Sequence, residues 1–305
     1  PKERASKARV GETQPWVQIP PPPPLRSDEV RGDHIFRNQL KQMLIGDIFR
    51  YAREFSYLLR SPSQTEQGFR FAGMKKMMQL NFEPDVCAFI QNEFKAGSSF
   101  FIDVGAHHGF YSVLAGRLGM KVLSFEPDPI NFRILSRNLR INGLSKQEKL
   151  NVGVGAQNAI LIFHGFSSGV STQPEWGGNT SRRKFKSKVV KLDDVLMLDS
   201  IRNEKAVLKI DVEGHEENVL KGSQKLLKSS RNLKIIIEIS FTEKQENESK
   251  TKKEASQLIH WMISSGYYPH RILLTGELEL LHKAEIQDLL FSGSVISGNF
   301  VFKRV

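Results

Sequence analysis

The chain has 305 residues, 39% of them hydrophobic and 25% charged; that suffices for one well-buried α/β core and excludes a largely disordered chain. No run approaches the roughly 20 apolar residues of a membrane span, and a single cysteine, Cys87, excludes a disulfide framework or a cysteine-rich zinc site. The net charge of +11, from 44 Lys and Arg against 33 Asp and Glu, favours acidic partners without choosing among nucleic acid, anionic lipid and acidic glycan.

In chain order, residues 1–34 read as a disordered arm. Lys2, Arg4, Lys7 and Arg9 lie among small residues, and Pro20 to Pro24 favour an extended polyproline II rod. The rod reads as a spacer, or else as a ligand for an aromatic-lined groove. Residues 35–97 read as a helical extension. Leu40, Leu44, Ile48 and Phe49 recur near helical spacing, and a second helix starts at Glu83-Pro84-Asp85 with Val86, Phe89, Ile90 and Phe94 on one face. From 98 to 305 strands and helices alternate. Strands are predicted at 100–104, 121–125, 150–154, 206–211, 234–239 and 300–302, with helices at about 110–118, 128–142, 215–227 and 252–264. This pattern predicts a doubly wound, mostly parallel sheet.

Asp103-Val104-Gly105-Ala106-His107-His108-Gly109 closes the first of these strands, at the edge where open α/β sheets bind ligands. The two glycines let the backbone turn and approach a ligand closely. A dinucleotide fingerprint needs glycine where His107 and Phe110 stand, so an NAD-type turn is disfavoured. Glu126 ends the second strand, where a carboxylate can accept two hydrogen bonds from a ribose diol. Acids at successive strand ends around a glycine loop favour an adenosine-type ligand.

The stretches FFIDVGAHHGFYSVLAGRLG, VLSFEPDPINFRILSRNLRING and VLKIDVEGHEENVLKG closely resemble FkbM-type methyltransferases, a family of class I S-adenosylmethionine-dependent enzymes. The resemblance covers about residues 80 to 240 and implies a seven-stranded Rossmann-like sheet. It implies that the cofactor, S-adenosyl-L-methionine, is held by Asp103, Gly105, Ala106, His107, Gly109, Phe110 and Tyr111 in and after the glycine loop, by Glu126 at its ribose, and by Asp211. Asp211-Val212-Glu213-Gly214-His215-Glu216 matches the family signature that faces the transferred methyl. The family usually has asparagine where this chain has His107.

Methyl transfer to a hydroxyl needs an aligned acceptor and a base. Asp211, Glu213 and His215 are the candidate catalytic residues; His215, with an ordinary pKa of about 6.5, suits a general base. No Asn/Asp-Pro-Pro-Tyr/Phe motif stands here, so an oxygen acceptor is favoured over a base nitrogen. The spacing of the three does not indicate a metal, and none is expected. The segment from His164 to Lys191 reads as an inserted loop, where Trp176 with Arg182, Arg183, Lys184, Lys186 and Lys188 would bind an acidic or sugar-like acceptor. The expected reaction is O-methylation of a small molecule or glycan; the alternatives are a nucleic-acid methyltransferase and a non-catalytic nucleoside-binding protein. A lone cysteine fits the cytoplasm. The start at Pro1 leaves room for an upstream signal or anchor, and Asn179-Thr180-Ser181 and Asn247-Glu248-Ser249 would be glycosylation acceptors on a secretory path.

Overall fold

Short apolar runs closed by glycine and proline turns set the centre of the structure. The protein, seen in a computed structural model, is described over residues 45–174, 176, 181–240, 248–291 and 297–304. The predicted arm, the first ten residues of the extension, and Asn179, Thr180 and Asn247 of the glycosylation motifs lie outside the described residues.

The extension supplies helix α1 (Ile45–Leu59), the hairpin β1 (Ser63–Gln64) and β2 (Arg70–Phe71), a 3-10 turn over Lys75–Met78, and helix α2 (Pro84–Lys95) with proline in its first turn. α1 is inverted. Asp47, Glu54 and Tyr57 are buried, whereas Ile48 and Phe49, read from spacing as its apolar face, are exposed. Cys87 is buried on α2, and burial, then the charges of Glu83 and Asp85, push its thiol up to about 12.

β3 (Phe100–Val104), α3 (Phe110–Leu118) and β4 (Lys121–Phe125) fall where the sequence places them. Asp128 caps α4 (Pro129–Ile141), its carboxylate accepting the Ile130 N–H at 2.8 Å. The third predicted strand divides into β5 (Glu148–Leu150) and β6 (Gly153–Val154). The end of the loop predicted from His164 to Lys191 is a strand, β8 (Lys184–Val190), which pairs with β7 (Ala159–His164) just before the loop and with β6 in a small separate sheet. Two short helices, α5 (Leu192–Val195) and α6 (Leu198–Ile201), lead to β9 (Ala206–Ile210). The predicted helix over 215–227 breaks into α7 (Glu216–Lys221) and α8 (Gln224–Ser229) at Gly222, where a Cβ would lie 2.0 Å from the Gly155 carbonyl oxygen. β10 (Leu233–Ser240), α9 (Glu248–Ser264), β11 (Tyr268–Ile272), β12 (Leu278–Leu280), α10 (Lys283–Phe291) and β13 (Ser297–Lys303) follow.

The main sheet runs β12-β11-β13-β10-β9-β3-β4-β5. Its five strands from β10 to β5 are parallel, and β13 is antiparallel to both neighbours. There are eight strands rather than seven because β12 folds back on β11 as an edge hairpin. All five residues of β3 and of β9 are buried, so their sequences show no alternation. Phe101, Val122, Val207 and Ile236 meet α2, α3 and α4 on one face; Ile102, Leu123, Leu208 and Ile235 meet α7, α8 and α9 on the other. The sheet is thus wound on both faces, and the carboxyl ends of β3, β4, β9 and β10 meet along one edge.

Candidate active site

The loop after β3 is shaped by its neighbours. Gly105 and Ala106 donate their N–H groups to the Phe125 carbonyl at 3.0 and 2.9 Å. Gly105 has φ +86, and a Cβ on it would stand 1.8 Å from the Asp211 carbonyl oxygen. His107 also adopts a left-handed conformation, φ 51, a region that Asn, Asp and His enter more readily than other residues with a Cβ. That accounts for histidine standing where the resembled family has asparagine. Its N–H donates to Glu126 Oε2 at 2.7 Å, and the Asp128 N–H donates to Glu126 Oε1 at 2.8 Å. Burial, then the Asp128 charge, pushes Glu126 up to about 8 against those donors.

One cavity is lined by Gly105, Ala106, His107, Phe110, Tyr111 and Glu126 on one side and by Asp211, Glu213 and His215 on the other. Nine of the predicted residues therefore meet. Asp103 and Gly109 are not among its lining residues. Asp103 is fully buried under the loop, where it accepts the Ser112 hydroxyl at 2.5 Å; burial above all pushes it up to about 6. Gly109, φ +81, opens α3 against Leu135, whose Cδ1 would lie 2.3 Å from a Cβ there.

At the end of β9, Asp211 accepts Lys209 Nζ at 2.7 Å. Lys209 is buried, with its ammonium 4.8 Å from the Tyr111 ring centre. Burial lowers its pKa, but Asp211, Glu83 and Asp103 more than offset this and hold it above the usual value. Glu238, on β10, is pushed up to about 9 by the Asp211 charge and then by burial. Burial, then Asp211, raises Glu213 to about 7, and the Trp176 indole N–H donates to Glu213 Oε2 at 2.7 Å. His215 occupies the N-cap position of α7 without bonding its N–H groups. Its Nδ1 instead lies 3.2 Å from Thr172 Oγ1 and 3.3 Å from Asn218 Nδ2, and burial holds it below its ordinary pKa. The imidazole is thus neutral near pH 7.

Sequence reasoning missed several participants. Lys209 sits inside a predicted strand with no polar periodicity to mark it. Glu83, which accepts the Tyr111 hydroxyl and, at 3.0 Å, Asn299 Nδ2, lies 28 residues from that tyrosine. Glu54 of α1 reaches His108 Nε2 at 3.0 Å, both side chains being buried, while Asn138 of α4 donates to the His108 carbonyl at 2.8 Å. Glu54, His107 and His108 bring ligand-type atoms within 4.8 Å of one another, but each is engaged: His107 with Ser167, His108 with Glu54, and Glu54 also with Arg53. The basic segment is not a free loop. Arg183 clamps Asp128 at 2.5 and 3.0 Å, and Lys184 and Lys186 lie on the exposed face of β8.

The Glu54–His108 contact yields a test. Burial raises Glu54, but the hydrogen bond and charge of His108, followed by Arg53, leave it below its ordinary value. Its contribution to stability is therefore present above the usual carboxylate pKa and lost as the medium is acidified through the lower folded value. Glu54→Ala should lower stability by about 1–3 kcal/mol at pH 7, the cost of a buried group left unsatisfied; thermal melts across pH would reveal a difference that shrinks on acidification.

Among solved structures, the precorrin-6y C5,15-methyltransferase of Geobacter metallireducens overlays 77% of this chain and 94% of its own at 10% identity, TM-score 0.39. The O-methyltransferase of Bacillus cereus, solved with SAH, overlays 73% and 81% at 12% identity, TM-score 0.39. These overlaps are loose, and the fold rests on its own strand order. Methyltransferase sdnD of Sordaria araneosa is 30% identical over 154 residues, covering 40% of this chain; the chain spans 60% of that protein. Residues 103–269, running from the buried aspartate of β3 through both halves of the cavity to β11, match the methyltransferase FkbM domain, and the chain belongs to that family.

Proposed function

We propose that the chain is an S-adenosyl-L-methionine-dependent methyltransferase that acts on a hydroxyl of a small molecule or glycan. The observation that carries this reading is the single cavity joining Gly105, Glu126, Asp211 and His215 at the carboxyl edge of the parallel strands. The residues fit the cofactor. Glu126 offers carboxylate oxygens for a ribose diol, Val154 and Phe163 give an apolar wall for a base, and Asp211 would hold the amino group. When bound, the cofactor supplies an electrophilic methyl on a cationic sulfonium. Asp211 and Glu83 in the same cavity complement that charge, against the lysines Lys76 and Lys209, whereas Glu238, pushed up to about 9, is protonated near neutral pH and Glu213, raised to about 7, is partly so. His215, neutral and held at Nδ1, takes the acceptor's proton at Nε2.

A second cavity shares Asp211, Glu213 and Glu238 with the first and adds Trp176, Glu216 and Glu254. We assign the acceptor to it. Its acids favour a neutral polyol or a cationic acceptor over the acidic one suggested by the basic segment, whose Arg183 is committed to Asp128. Transfer of labelled methyl to a panel of glycans, polyols and amino alcohols, with release of S-adenosylhomocysteine, tests the assignment. Cofactor binding without release on any acceptor would favour a nucleoside-binding protein, and labelled nucleic acid would move the acceptor elsewhere.

Glu126→Ala should weaken cofactor binding by about 1.5–3 kcal/mol, the range for hydrogen bonds to a charged group. Because Glu126 titrates near 8 and must be ionised to accept both hydroxyls, wild-type affinity should rise with pH up to about 8 and then level off. The sign for folding is opposite. A carboxyl whose folded pKa is raised keeps a proton that the unfolded chain has lost, so its share of stability falls between about pH 4.5 and 8. Calorimetry at several pH values checks the first expectation; a flat affinity profile would remove Glu126 from the ribose position.

A further inference from the structure

Lys209 stands in β9, a strand whose residues are all buried. The pleat puts it on the sheet face of Val207, with Asp211 next along the same face. On one side Asp103 of β3 pairs with Lys209; on the other Ile237 of β10 pairs with Ile210, so Glu238 comes level with Asp211. Glu83, just before α2, accepts the Tyr111 hydroxyl, and the Tyr111 ring centre lies 4.8 Å from the lysine ammonium. One buried cation is thus set among the carboxyl groups of Glu83, Asp103, Asp211 and Glu238, and it donates to Asp211 at 2.7 Å. An apolar side chain of similar volume often serves stability as well as a buried ion pair does, so the charge points to the cavity that Lys209 and Asp211 both line.

Two acids contest one proton there. Glu238 is hydrogen-bonded to Asp211, and the Asp211 charge is the main cause that pushes Glu238 up to about 9. Like charges this close do not both ionise, and the ammonium sits on Asp211. We propose that Lys209 is a positioning residue of the cofactor site: by pairing with Asp211 it places the negative charge of the Asp211–Glu238 pair on Asp211, where a bound ammonium group needs it. The proposal rests on the reading that Asp211 holds the cofactor's amino group. The other titratable groups that feel the Asp211 charge are Asp103, Tyr111, Glu213 and Glu216, all neutral or anionic, so none replaces Lys209. Lys76, the other cation of the cavity, is exposed and screened by solvent.

The test compares two ligands by calorimetry on the wild type and on Lys209→Met, which keeps the length of the side chain and removes its charge. S-adenosylhomocysteine carries the amino-acid group; methylthioadenosine has the same adenosine and sulfur without it. The ratio of their affinities cancels whatever Glu126 contributes at the ribose. At about pH 6.5 the variant's ratio should lie about tenfold or more below that of the wild type, the effect of one unit or more of lost charge support, while methylthioadenosine binds both chains about equally. The gap should close as the pH rises to about 8.5 and the unsupported Asp211 ionises again. A ratio equal to the wild type at every pH overturns the proposal. So does a loss that does not change with pH, which would assign Lys209 to the cofactor's carboxylate. Should Lys209→Met fail to melt cooperatively, the double variant Lys209→Met, Glu238→Gln is measured instead. With no second acid to contest the proton, its ratio should stay within about threefold of the wild type, and a tenfold loss overturns the proposal. A wild-type chain that binds neither ligand would bring down the cofactor reading and this role with it, a result distinct from all the others.

Discussion

His215→Ala should lower turnover by about 10²–10⁴-fold while cofactor affinity changes little, the signature of a lost general base. The structure sharpens the expectation. Burial holds the imidazole below its ordinary pKa, so the acidic limb that the wild-type rate profile owes to His215 lies below about pH 6.5, where protonation removes the base. The variant should lose that limb. Asp211→Ala should behave differently: it leaves buried Lys209 without its 2.7 Å partner and removes the carboxylate proposed to hold the cofactor's amino group, so binding should suffer first. If both variants turn over like the wild type, the proton goes elsewhere. Glu213, raised to about 7 by burial and then by Asp211, is the next candidate on the same cavity wall.

Gly105→Ala should be at least as damaging, through packing rather than chemistry. The new Cβ would stand 1.8 Å from a backbone oxygen of Asp211 at a φ of +86. Backbone cannot move aside as a long side chain can. Overpacking of this kind costs about 1–3 kcal/mol, and a left-handed residue with a Cβ adds about 1–2 kcal/mol. A loss of about 2–5 kcal/mol is expected in denaturant unfolding, with cofactor binding abolished because β3 and β9 are forced apart at the cavity. Near wild-type stability would mean that the loop closes differently from the arrangement described.

The central strands were legible because burial on both faces leaves a simple signal: Phe100–Val104 and Lys121–Phe125 are short apolar runs with glycine, proline or acid at their ends. Glu126, Asp211 and His215 were legible because strand-end position and the family pattern agree. The β7–β8 hairpin was not. Its strands mix exposed Ile160 and Ile162 with Lys184, Lys186 and Lys188, a pattern that follows its pairing partner rather than a buried face. Lys209, Glu83 and Glu238 were also hidden, since their meeting depends on three segments distant in sequence. The inversion of α1 had no local cue either, because Asp47 and Glu54 are buried by partners at Arg182 and His108.

The one cysteine has a practical consequence. Cys87 is buried on α2, and its thiol is held near 12, so folded molecules present almost no thiolate to an alkylating reagent at neutral pH. Each molecule that opens there exposes one nucleophile whose pKa returns to about 8.5. The chain thus carries its own clock: the rate at which a maleimide label accumulates, one per molecule, counts openings of the α2 region without any introduced probe.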